Sequence, residues 1–183
     1  MNRAIKYRTY PTTEQSILFA KTFGCCRKVY NLMLADKIAY YQEHQKTLQT
    51  TPAQYKKDYP YLEEVDSLAL ANVQMNLQTA YKNFFRDKKI GFPKYKSAKH
   101  SRKSYTTNNQ KGTVAITDKG IKLPKIGVVK AKIHKKPNED WLIKSATVSQ
   151  ERDGTYYITI KPKDNTIYFR VYDRNQKQLV LLD

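Results

Sequence analysis

Cysteine is nearly missing from this chain: Cys25 and Cys26 are the only two among 183 residues. Neighbours on a helix point in different directions, so the pair closes neither a disulfide framework nor a metal clamp and reads as buried thiols. Acidic residues are scarce as well, 16 Asp plus Glu against 34 Lys plus Arg, for a formal charge of +18. That excess is far beyond what solubility requires and implies a polyanionic partner. There is no run of ~18 apolar residues to cross a bilayer, and the opening MNRAIKYRTYP is charged and has no apolar signal core. A cytoplasmic, nucleoid-associated protein with no membrane partner is expected. His44, His100 and His134 have no ligand-spaced neighbours, and no C-x-x-C, Walker loop or nucleophile elbow occurs. A metal-dependent nuclease needs two or three convergent carboxylates. Glu63, Glu64 and Asp66 cluster, but at the mouth of a helix, where acids complement the macrodipole. No catalytic residue, metal site or cofactor is expected from these residues.

What is present supports a folded core, since 40% of the residues are hydrophobic. Arg3 to Tyr10 alternates with the period of a half-buried strand, ended by Pro11. Thr12 and Gln15 form a capping box, followed at helical spacing by Phe19, Phe23, Cys26, Tyr30 and Met33. Thr51 and Pro52 open a short helix ending near Asp58. A second long helix is predicted from about Asp66 to Arg86, with the stripe Leu70, Val73, Leu77, Ala80 or Tyr81, and Phe84. After Gly91 the period falls to two, through SYTT, TVAIT, GIKL, GVVKAKI, LIKSATVSQ and TYYITIK. The predicted fold is α+β: a small antiparallel β-barrel with a helical bundle inserted after its first strand. The expected divisions are 1–11, 12–90, 91–162 and a C-terminal tail, 163–183, holding a hairpin around DRNQ.

Charge is concentrated in two stretches. The first carries Lys82, Arg86, Lys88, Lys89, Lys94, Lys96, Lys99, Arg102, Lys103 and Lys111 against one acid, Asp87. The second, from Lys119 to Lys136, holds seven lysines, among them Lys125, Lys130 and Lys132, and no acid. Regularly spaced phosphates are the obvious compensators for such density. The excess of lysine over arginine favours backbone contact over bidentate base reading. Phe92, Tyr95, His100 and Tyr105 are interleaved and could stack on unpaired bases, although Phe92 and Tyr105 also suit a core. The polar run Thr106 to Gln110 is a candidate for base reading or simply a turn.

The succession YRTYPTTEQ, CRKVYN, LALANVQMNLQTAYKNFFR, GFPKYKS, SYTT with NN, LPKIG and GTYYITI resembles the N-terminal half of TnpB, also called OrfB. This is the transposase-like, RNA-guided nuclease family of bacterial insertion sequences, related to the type V CRISPR effectors. The resemblance spans about Ile5 to Ile160. It implies a wedge barrel interrupted by a helical, helix-turn-helix-like recognition lobe, the two gripping a guide RNA and its heteroduplex with target DNA. It places Tyr10, Arg27, Tyr30 and Asn31 in the first recognition-lobe helix region and Lys82, Arg86, Lys94 and Lys96 in a basic connector. Thr107 and Asn108 fall in the segment that approaches the target-adjacent motif, and Ser67 and Ala71 stand where some relatives carry longer polar side chains. Such proteins continue into a RuvC-like nuclease opening on a G-x-D-x-G strand; here KPKDNTIYFRVYDRNQKQLVLLD follows, and neither Asp164 nor Asp173 has that context. The expectation is a truncated module that binds guide RNA, double-stranded DNA or both without cutting. A recognition subunit working with a separate nuclease chain, and a general basic RNA-binding protein, are the alternatives.

Overall fold

The computed structural model describes residues 4–135 and 142–163, together with the backbone of 171–172 and 179–180. Arg3, Lys136 and most of the expected tail hairpin lie outside the described residues.

β1 (Ile5–Tyr10) alternates buried Ile5, Tyr7 and Thr9 with exposed Lys6, Arg8 and Tyr10, as its period-two pattern requires. α1 (Thr13–His44) starts on the predicted capping box: Thr12 Oγ1 accepts from the Gln15 amide and Gln15 Oε1 from the Thr12 amide, both at 3.2 Å. Its buried stripe runs through Phe19, Phe23, Cys26, Tyr30 and Met33. The short helix expected after Thr51 is a single 3-10 turn, Pro52–Tyr55, and a second such turn spans Pro60–Glu63. α2 (Ser67–Arg86) buries Ala69, Leu70, Val73 and Leu77, with Asp66 as N-cap accepting from the Leu68 amide at 3.1 Å.

All six strands expected after Gly91 form: β2 (Lys103–Asn108), β3 (Ala115–Thr117), β4 (Gly120–Leu123), β5 (Gly127–Ala131), β6 (Ile143–Gln150) and β7 (Tyr156–Pro162). With β1 they make one antiparallel sheet in the order β2-β6-β7-β1-β5-β4-β3. A separate pair, β8 (Val171–Tyr172) and β9 (Leu179–Val180), forms a two-residue antiparallel ladder.

The sheet is open, which corrects the expected barrel. β2 and β3 are its two edges. Lys111 and Gly112 both take positive φ, 50° and 78°, so the chain crosses between those edges as a turn rather than as a paired strand. The connection still forces curvature. Seven strands laid flat would separate the edges by about 29 Å, whereas the chain from Asn108 to Ala115 reaches at most about 25 Å. The sheet therefore curls toward closure without reaching it.

One face of the curled sheet and both helices share a single apolar cluster. Phe19 meets Tyr105 and Tyr156 at ring-centroid distances of 6.4 and 5.5 Å, and Phe23 meets Tyr105 at 5.8 Å. A fully buried ring contributes about 1.5–3 kcal/mol relative to exposure, so this aromatic group fastens α1 across β2 and β7. The other face is solvated in part, with Lys6, Arg8, Tyr10 and Lys130 exposed while Ser145 and Ser149 are buried.

Candidate nucleic-acid interface

Three pieces of chain converge on one open cleft. α1 supplies Phe23, Cys26 and Arg27, and α2 supplies Ala69, Asn72, Val73 and Asn76. The approach to β2 adds Lys96, Ser101 and Arg102, and β2 itself contributes Lys103, Ser104, Tyr105 and Thr106. Its buried members are apolar (Phe23, Cys26, Ala69, Val73, Tyr105), while Lys96, Arg102 and Lys103 are exposed. Among the described residues no acid lines it.

A two-point clamp sets the geometry of the basic connector. Asn31, on α1, donates from Nδ2 to the Lys96 carbonyl at 2.9 Å and accepts the Lys96 amide on Oδ1 at 2.8 Å. An amide side chain matched donor to acceptor on one backbone residue fixes that residue's position and orientation together. The Lys96 ammonium then lies 4.1 Å from the centroid of the Tyr30 ring, a cation–π contact. Desolvation there lowers the Lys96 pKa, with Cys26 acting in the opposite direction. On the cleft floor, burial above all pushes the Cys26 thiol up to about 12, reinforced by Cys25 and Asp66 and opposed by Lys96. It is therefore a protonated packing group and not a nucleophile.

The sixteen residues singled out in the sequence separate into four groups. Arg27, Lys96, Arg102 and Lys103 line the cleft. Lys82, Arg86, Lys88, Lys89, Lys94 and Lys99 are exposed along the end of α2, the 3-10 turn Lys88–Ile90 and the connector. Tyr105 and Thr107 point inward. Tyr105 packs on Phe19 and Phe23, and Thr107, fully buried, donates its hydroxyl to Asp66 Oδ2. Both face the core, as alternate residues of β2 do, and Tyr105 also forms part of the cleft's buried lining. Asn108 is half-buried on the opposite, solvated face, across from Ser145.

The second basic stretch joins that solvated face and not the cleft. Lys125 sits in the β4–β5 turn with φ 64°, Lys130 pairs with Tyr10, and the Lys132 amide donates to the Arg8 carbonyl at 2.9 Å. Register brings residues there that the sequence reading passed over. Lys6 lies opposite Thr159 and Arg8 opposite Tyr157, with the Lys6 ammonium 4.1 Å from the Tyr157 ring centroid. Their exposed alternation within β1 was the available signal. Asn72 and Asn76 were also missed; their spacing of one helical turn on the side of α2 that meets the cleft could have marked them.

Four of the described acids beside the helices are engaged structurally: Asp66 caps α2 and accepts from Thr107, Asp87 accepts the Lys89 amide, Glu64 pairs with Lys21, and Asp36 accepts from the Tyr55 hydroxyl at 2.6 Å. Among the described residues no group of three His, Cys, Asp or Glu side chains could hold a metal ion, and no helix is long and apolar enough to cross a membrane.

Comparison with known proteins points one way. Residues 1–46 match the helix-turn-helix domain of the OrfB/IS605 family; in this chain the described part of that stretch is β1 followed by the uninterrupted α1. A Streptomyces pristinaespiralis protein named as an RNA-guided DNA endonuclease is 33% identical over 178 residues, covering 90% of this chain and 42% of that protein. The virulence protein VsdF of Salmonella dublin is 36% identical over 111 residues, 52% of this chain and 93% of VsdF. InsQ of Escherichia coli K12, also named as an RNA-guided DNA endonuclease, is 27% identical over 172 residues, 87% of this chain and 40% of InsQ. The chain thus spans well under half the length of the two endonuclease relatives.

Proposed function

Because this chain belongs to the TnpB/OrfB family, whose N-terminal part it matches, we propose that it is a nucleic-acid-binding module that holds a guide RNA and its target DNA. Residues 12–90 act as the recognition part, and 1–11 with 91–162 form the sheet that carries it. The Asn31 clamp on Lys96 carries the reading: it fixes a strongly cationic segment beside a cleft that no acid among the described residues lines. Lys94, Lys96, Lys99, Arg102 and Lys103 then follow a phosphate backbone, and the amides of Asn72 and Asn76 meet groups that enter the cleft. The solvated sheet face, with Lys6, Arg8, Lys130 and Lys132, provides a second cationic surface, enough for two strands or two segments of one folded RNA.

The module binds without cutting. Among the described residues Asp36, Glu64, Asp66 and Asp87 are committed to caps, hydrogen bonds and ion pairs, and no group of three His, Cys, Asp or Glu side chains gathers there for metal-assisted hydrolysis. VsdF, 93% of whose length matches 52% of this chain, supports treating the matched part as a unit.

Sequencing the RNA that co-purifies with the protein tests the binding half, with enrichment for one insertion-element end expected and a featureless mixture counting against a guide. Incubating the purified chain with Mg²⁺ and supercoiled DNA tests the other half: strand scission would overturn the non-cutting assignment.

A further inference from the structure

At the C-terminal end of α2 the chain leaves an aromatic surface in water. Phe85 is 72% exposed, Ile90 55%, Tyr95 57% and Phe92 42%. A soluble chain rarely leaves several large apolar side chains so exposed in one place without a use for them. These rings are ordered against one another. Phe85 lies nearly parallel to Tyr81, at 22° and 6.2 Å between centroids. Phe92 stands edge-on to both Tyr81 and Phe84, at 86° and 84° with centroids 5.5 and 5.4 Å away. Tyr81 and Phe84 are half-buried beneath. Phe92 therefore props the cluster from the side, and Phe85 is its outermost, exposed member.

The surroundings select the occupant. Lys82, Arg86, Lys88, Lys89 and Lys94 are exposed in the same segment, and its one acid, Asp87, already accepts the Lys89 amide at 3.0 Å. A second copy of this chain would bring the same cations into opposition. An apolar protein partner would gain nothing from five neighbouring cations. A single-stranded nucleic acid satisfies both features, offering flat π-faces to the rings and phosphates to the ammonium and guanidinium groups.

We infer that the Phe85 ring, backed by Tyr81 and braced by Phe92, is a stacking platform for an unpaired base of a single-stranded RNA or DNA segment, whose flanking phosphates contact Lys82, Arg86 and Lys89. This rests on the nucleic-acid-binding reading and adds a distinct requirement: the segment at this end of α2 is unpaired. Duplex does not engage the platform, because its bases are stacked on each other.

The test compares Phe85→Ala with the unaltered protein. Phe85 is mostly in solvent, so the fold should survive. Affinity is measured for a 12-nucleotide single strand carrying 2-aminopurine, as RNA and as DNA, and for a duplex of the same sequence. Base–aromatic stacking by comparable rings implies a loss of roughly 5- to 150-fold for the single strands. Duplex affinity and the salt dependence should stay as they were, because no cation has been removed. The 2-aminopurine emission quenched on binding should recover in Phe85→Ala and quench again in Phe85→Trp. A loss confined to RNA or to DNA identifies the strand that occupies the platform. Unchanged single-strand affinity and emission, while a protein with Lys94, Lys96, Lys99 and Lys103 changed to glutamine binds weakly, overturns the platform and leaves the nucleic-acid reading intact. Equal losses for duplex overturn it as well. Loss of self-association in Phe85→Ala, with nucleic-acid affinity retained, would reassign the surface to a second copy. Failure of the unaltered protein to bind any nucleic acid removes both proposals together.

Discussion

Replacing Asn31 by alanine deletes both hydrogen bonds that hold the backbone of Lys96, at 2.9 and 2.8 Å, without touching a single charge. A hydrogen bond of this kind contributes a net ~0.5–1.5 kcal/mol, and both lie in exposed surroundings, so the pair is worth about 1–2 kcal/mol. The connector from Lys94 to His100 is exposed apart from this attachment, so the effect should appear as local release rather than global unfolding. If the docked connector is the binding-competent form, apparent affinity falls by up to roughly 5- to 30-fold, the equivalent of that energy. Two readouts separate the cause. Hydrogen exchange at the Lys96 amide, whose proton is the one held by Oδ1, should accelerate while amides in β6 and β7 stay protected. Fluorescence anisotropy with a single-stranded RNA should show weaker binding with the same salt slope, because every cation remains. Asn31→Asp keeps the acceptor for the Lys96 amide but sets a carboxylate against the Lys96 carbonyl, so it should not rescue. Unchanged exchange at Lys96, or a Tm that falls in step with affinity, would refute the idea that Asn31 works by presenting the connector.

Four further outcomes follow from the same structure. Changing Lys94, Lys96, Lys99 and Lys103 together to glutamine should weaken binding to all sequences and flatten the salt slope by about 0.7–0.9 for each phosphate no longer neutralised; an unaltered slope would remove the connector from the interface. Thr107→Val leaves the Asp66 carboxylate short of a partner and should cost about 1–3 kcal/mol, which thermal melting would register as a drop of roughly 2–4 °C for each kcal/mol. If it instead alters sequence preference at full stability, Thr107 faces nucleic acid and the inward placement is refuted. Gly120→Ala places a Cβ 2.0 Å from the Val129 carbonyl oxygen at φ 148°, so β4 and β5 must separate; a soluble variant with unchanged Tm would contradict the register. Finally, burial and then the Asp36 contact raise the Tyr55 pKa above its ordinary 10.0, and burial does the same to Tyr105. Above about pH 10 the unfolded chain releases protons that the folded chain keeps, so stability present below that pH declines as pH rises through it. Tyr55→Phe should flatten the decline in denaturant melts between pH 9 and 11; an equally steep fall would show that Tyr55 does not drive it.

Local rules written into short segments were legible from sequence. The Thr12–Gln15 capping box, the helical stripe from Phe19 to Met33 and the six strands after Gly91 all occur where pattern placed them, because each is decided by residues a few positions apart. What escaped depends on partners far along the chain. Thr107 reads as one more hydroxyl in SYTTNN, and its partner on the inward side, Asp66, lies 41 residues earlier. Asn31 is an ordinary polar helix residue until Lys96 arrives from 65 positions away. The solvated face could not be assembled in advance, since placing Arg8 beside Tyr157 and Lys132 requires the strand order. Openness was equally hidden: strand count and length suit a closed barrel, and a turn of two positive-φ residues decides against it.

The central place of β1 has a consequence for how the protein is made. Among the described strands it is the first to be synthesised, yet its two neighbours are β5 and β7, which end at Ala131 and Pro162. At roughly 5–20 residues per second, synthesis of the intervening chain takes on the order of 10–30 s, during which Ile5 and Tyr7 have no strand to pair with. α1 and α2 are complete well before that and can pack on each other first. Biogenesis therefore runs from the helices outward, and β1 gains its β7 partner late, so a translation product that stops short of β7 would leave that side of the six-residue strand as an unpaired, aggregation-prone edge.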